Sequence, residues 1–145
     1  MPIRRTALAM LVLLAALGAA PAAEAARIIV TIEGLHSARG YVYVALFSRA
    51  ERFPEGEMAD RYVRLRAATR PLTVVFDGLR QGSYAVGAYH DENGNGRLDT
   101  TLLGYPDEGY ALSNGIRAVA ARPSFQDAAF QVGAQDRPVT LRIGY

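Results

Sequence analysis

An antiparallel β-sandwich of six to seven strands is the fold this sequence predicts, and three observations carry it. Apolar residues recur with a period of two in segment after segment. Those segments are rich in β-branched and aromatic residues, and Gly, Pro, Asn and Asp stand between them. No stretch after residue 26 keeps a helical stripe beyond two turns. Six or seven such strands in one domain-sized chain of 145 residues fit a sandwich with Greek-key connections.

Taken in order, residues 1–25 read as a cleaved secretory signal peptide. Arg4 and Arg5 form the basic start, Ala7 to Ala20 the apolar run, and Ala23-Glu24-Ala25 the small-x-small cleavage pattern. Fourteen apolar residues closed by Pro21 are too few for a spanning helix, which needs roughly 20. Residues 26–145 then form a single periplasmic or secreted domain. Ile28, Val30 and Ile32 give the first strand, and Val42, Val44 and Leu46 the second. Arg61 to Ala67 suits a strand or a short helix carrying Tyr62 and Leu65. Leu72, Val74 and Phe76 follow, then Tyr84, Val86 and Ala88, then Phe130 and Val132, and last Val139, Leu141 and Ile143. An internal echo links Thr31-Ile32-Glu33-Gly34-Leu35 with Val75-Phe76-Asp77-Gly78-Leu79, each followed by a Gly and a strand. It reads as two hairpins of one design.

Composition excludes several functions. There is no cysteine, hence no thiol catalysis, thiolate zinc, disulfide or lipid-anchored cysteine. All 16 basic residues are Arg, against 14 acids, and they are scattered singly. A nucleic-acid binder would cluster them on one element. The eight tyrosines fit either an aromatic binding face or sheet margins with wet hydroxyls.

Residues 90–125 form a long, weakly periodic loop, and the chemistry concentrates there. Asp91, Asn93, Asn95 and Asp99 place side-chain oxygens at relative positions 1, 3, 5 and 9, with Gly96 at 6. This is the spacing of a calcium loop, with the Arg97 carbonyl as the ligand at position 7 and Leu98 turned to the core. Position 12 is Leu102 instead of a bidentate Glu, so Glu108 or Asp107 has to return through the Gly104-Tyr105-Pro106 turn. Calcium affinity is then expected to be weak, about 10⁻⁴ to 10⁻³ M. The alternative is a metal-free turn, since Asn and Asp also bond their own backbone. A catalytic alternative is a small hydrolase or carbohydrate-active enzyme using His90, Asp91 and Glu108. No nucleophile motif surrounds Ser113 or Ser124, and His36 reads as a solvated turn residue.

Gly82-Ser83-Tyr84-Ala85-Val86, the run His90 to Asp99, Leu103-Gly104-Tyr105-Pro106, Asp107-Glu108-Gly109-Tyr110, Ser113-Asn114 and Arg122-Pro123-Ser124-Phe125 together carry a resemblance. The chain resembles a bacterial exported family known as domain of unknown function 2141. The resemblance implies a sandwich similar to transthyretin-like and collagen-adhesin B-type domains, some of which hold calcium in an Asp-x-Asn-x-Asn-Gly loop. It supplies no activity. The expectation is a non-enzymatic binding or envelope-associated accessory module, whose partner is a protein or envelope component, with no nucleic acid and no membrane span after cleavage. A transthyretin-like carrier of a small ligand is a further alternative.

Overall fold

The computed structural model describes residues 25–117 and 122–145. Apart from Ala25, the signal-peptide reading lies outside the described residues. Two sheets face one another. The first holds β1 (Ala26–Glu33) between β4 (Leu72–Leu79) and β8 (Arg137–Arg142). The second runs in the order β3 (Arg61–Arg66), β2 (Tyr41–Phe47), β5 (Gly82–Asp91), β6 (Tyr110–Leu112), while β7 (Phe130–Val132) pairs the first residues of β5. The fold is therefore the all-β sandwich that the alternation predicts. All pairings are antiparallel except β1 with β8, which run parallel.

The alternation has a direct physical result. In β1, Ile28, Val30 and Ile32 are fully buried, while Arg27 is exposed and Ile29, Thr31 and Glu33 are less buried. Val42, Val44, Leu46, Val74, Phe76, Val86 and Leu141 meet them between the sheets. Each such side chain stabilises the fold by about 1.5–3 kcal/mol through loss of apolar surface from water. In β2 the opposite face is buried too. Ala45 and Phe47 join Phe53, Ala85, Leu112 and Ala128 in a second cluster under α1 (Phe125–Ala128). Ser124 caps that helix by accepting from the Asp127 N–H. Ser113 accepts from the Val86 N–H and donates to the Ala128 carbonyl, a structural task.

Three expectations need correction. Arg61 to Arg66 is a strand, which removes the helical option. The echoed segments are not hairpins, because β1 and β2 lie in different sheets, as do β4 and β5. Each is an arch that crosses the core, and because β1 pairs antiparallel with β4 as β2 does with β5, the two crossings lie at opposite ends of the sandwich. The acid-Gly-Leu sequence turns the chain across the sandwich: Leu35 and Leu79 are buried in the main core. Residues 90–125, finally, are not one loop. β5 continues through His90 and Asp91, which pair with Val42 and Tyr41, and β6 adds an eighth strand. Three residues are too few to display a period.

Candidate functional site

The end of β5 and the first arch meet at one edge of the sandwich. Gly40, at a φ of 68°, lies so close that a Cβ there would stand 1.9 Å from the Asp91 carbonyl oxygen. This contact lays the arch against the start of the 91–99 loop.

The loop folds around a buried carboxylate. Asp91 Oδ1 accepts from the Gly94 N–H at 2.7 Å and the Asn95 N–H at 3.1 Å, and Oδ2 accepts from the Gly96 N–H at 2.9 Å. Asn93 Oδ1 accepts from the Asn95 N–H and Asn95 Oδ1 from the Arg97 N–H. The amide groups of both residues then donate to Asp99, at 2.6 Å from Asn93 and at 2.8 and 2.9 Å from Asn95. These bonds, from Asn95 first and then Asn93, hold the Asp99 carboxyl below its ordinary range, with the Arg97 charge beside it. Asn93 and Asn95 are thus brought to Asp99, while Asp91 holds the same loop through the backbone N–H groups of residues 94–96. Arg97 joins through its side chain, with Nε 3.6 Å from Asp99 Oδ1.

Glu108 also returns to the loop. Its Oε1 accepts from the Glu92 N–H at 3.2 Å and its Oε2 from the Asp99 N–H at 3.1 Å. Burial pushes this carboxyl above its ordinary value despite the two bonds, and the charges of Asp91 and Asp99 add to the effect. Asp107 contributes its backbone N–H to the Asp99 carbonyl. Leu98 is half-buried and joins neither core, because the loop runs out beyond the end of β5. Between Thr100 and Pro106 the chain forms a narrow tip, closed by the Thr101 N–H to the Tyr105 carbonyl, on which Leu102 and Leu103 are exposed. Tyr43, Tyr62 and Tyr89 stack on the outer face of the second sheet, with Tyr43 buried. The Tyr89 hydroxyl donates to the Gly96 carbonyl at 3.1 Å and so braces the loop.

His90 is fully buried on the arch side of β5. Its Nε2 lies 2.8 Å from the Arg39 carbonyl, which only accepts, so Nε2 carries the hydrogen. Nδ1 is then the acceptor for the Tyr145 hydroxyl at 2.6 Å. His36 is more than a solvated turn residue. Its Nε2 is 2.9 Å from Glu92 Oε2, and its ring stacks on Tyr145 with centroids 3.7 Å apart. The Ser37 hydroxyl donates to Glu92 Oε1 at 2.6 Å. Sequence reading missed His36, Glu92 and Tyr145 because they are far apart in the chain. Only the pairing of β2 with β5, which sets Gly40 beside the end of β5, brings His36 and Glu92 together.

Residues 30–140 match the family described as an uncharacterised protein conserved in bacteria. The chain belongs to domain of unknown function 2141. No curated protein and no solved structure matches it. The match to domain of unknown function 2141 takes in His36, the 91–99 loop and Glu108, whereas Tyr145 lies beyond it.

Proposed function

We propose that this member of domain of unknown function 2141 is an exported, non-catalytic accessory module that binds a protein or envelope component, with calcium held in its 91–99 loop. The observation that carries the reading is the folding of the loop on two carboxylates, with Asn93 and Asn95 gathered on Asp99 and the backbone of residues 94–96 wrapped on Asp91. Within the loop the two amide NH₂ groups supply the positive partners of Asp99. A hard cation taken up beside Asp99 would replace the two amide groups as its positive partner, with the side-chain oxygens of Asn93 and Asn95 turned to the ion. The missing bidentate acid at position 12 keeps the affinity low.

The hydrolase alternative is disfavoured by the bonding of its own residues. Both ring nitrogens of His90, both oxygens of Asp91 and both oxygens of Glu108 are engaged inside the protein. A general acid or base needs an atom that reaches substrate. Exposed Leu102 and Leu103, on a tip anchored by this loop, support a docking role.

The test is thermal melting of the purified protein, expressed as the full chain, in EGTA, in millimolar calcium and in millimolar magnesium. Calcium at 100 times its dissociation constant adds about 2.7 kcal/mol, a rise of several degrees. Asp99→Asn is expected to abolish the rise. Asp91→Ala removes the acceptor of three backbone N–H groups and lowers the melt even in EGTA, by about 3 kcal/mol. Identical melts of the unaltered protein in all three buffers would overturn the calcium reading.

A further inference from the structure

We infer that His36, His90 and Glu92 form a second metal site, one for a borderline divalent transition ion such as zinc, distinct from the oxygen-lined loop. One ligand atom from each lies within 4.8 Å of the other two, and among the described residues this is the one such trio of His, Cys, Asp or Glu. Two imidazoles with one carboxylate match the donors of three-ligand zinc sites, in which a fourth position is left for water. In such a site metal–ligand distances are about 2.0–2.2 Å, so an ion enters by parting the His36–Glu92 hydrogen bond and drawing His90 toward the pair. His36 is half-exposed and Glu92 lies at the surface, which leaves them free to part.

The surroundings are those of a ligand set. A metal-bound histidine donates its other N–H to a carbonyl or carboxylate, which fixes the tautomer and leaves the second nitrogen to the metal. His90 has its Nε2–H on the Arg39 carbonyl, and its Nδ1 lone pair, held here by the Tyr145 hydroxyl, passes to the metal when that hydroxyl turns aside. Glu92 is oriented in turn by Ser37, whose hydroxyl holds Oε1 while Oε2 faces His36. Ser37 is itself fixed by the Arg39 N–H. The Tyr145 hydroxyl, once turned from His90 Nδ1, supplies an oxygen beside the open position. These polar groups meet at the mouth of the first arch, where His90 bonds the Arg39 carbonyl and Tyr145.

The experiment titrates the EDTA-treated, buffer-exchanged protein with zinc chloride by calorimetry, and with cobalt(II) to read visible absorption and ring-proton shifts. One equivalent is expected to bind, with both histidine rings shifted and with millimolar calcium failing to compete. His36→Ala and Glu92→Gln each weaken binding at least tenfold, and Ser37→Ala, which releases Glu92 Oε1 and the Arg39 N–H, weakens it about 10–100-fold. His36 and Glu92 are outside the core, so circular dichroism should report an intact fold in these variants. Asp99→Asn is expected to leave zinc binding unchanged while it removes the calcium response, which separates the two sites. Zinc binding that is absent, or that survives His36→Ala undiminished, would overturn the inference.

Discussion

Glu92 and Glu108 are joined by one hydrogen bond, from the Glu92 N–H to Glu108 Oε1, yet their carboxyls are driven in opposite directions. The Ser37 hydroxyl first, and His36 next, favour the ionised Glu92 and lower its pKa. Its contribution to stability is present above the unfolded carboxyl range and is lost as pH falls through the folded value. Burial dominates at Glu108 and raises its pKa, so the sign reverses. The folded state favours its protonated form, and that stabilisation is present at low pH and lost as pH rises through the folded value. Denaturant melts from about pH 3 to about pH 8 separate the two effects. Against the unaltered protein, Ser37→Ala is expected to lose most at neutral pH and to converge with it as the pH falls. Glu108→Gln should show its greatest deficit at low pH, narrowing as the native carboxyl ionises. Parallel curves for all three proteins would contradict the assignment.

At the scale of elements, Gly40 and Gly94 allow a comparison. Both adopt positive φ, 68° and 77°, but a Cβ at Gly40 meets the backbone of Asp91 and Glu92, whereas one at Gly94 meets nothing within 4 Å. Gly94→Ala therefore carries only the left-handed backbone penalty, about 1–2 kcal/mol. Gly40→Ala has to separate the first arch from β5 and is expected to lose several times more, as read from equilibrium unfolding. Equal losses would show that the arch does not depend on this approach. The same comparison explains what the sequence disclosed. Its period of two located β1, β2, β4 and β5, because burial of one face writes itself directly into the residue order. The acid-Gly-Leu echo was visible too, but a turn within a sheet and an arch between sheets use the same residues. Only the pairing of β1 with β4 and β2 with β5 distinguishes them. The oxygen-bearing side chains of the 91–99 loop were legible for the opposite reason: they are neighbours in the chain. His36, Glu92 and Tyr145 meet through the arch and the segment after β8, so no local spacing announces them.

Across the whole molecule, the open edges of the two sheets are protected unequally. β3 presents Arg61, Arg64 and Arg66, with Arg64 and Arg66 laid over the Tyr41 ring, and charges of this kind discourage edge-to-edge pairing. β8 begins Arg137-Pro138, and proline withholds a ladder donor. β6 and β7 are three residues each. β4 has none of these guards along Leu72-Thr73-Val74-Val75-Phe76, and Val75 is 50% exposed. A chain with a net charge of only +2 adds little long-range repulsion. Weak, concentration-dependent self-association through β4 follows from this asymmetry. Sedimentation velocity over a concentration series is expected to show it in the unaltered protein and to lose it in Val75→Lys. Arg64→Ala, on the opposite sheet, is expected to leave the β4 contact in place. A monomer at every concentration would mean that Asp77 and the left-handed Gly78 at the end of β4, where the β1–β4 register also shifts, suffice to close this edge.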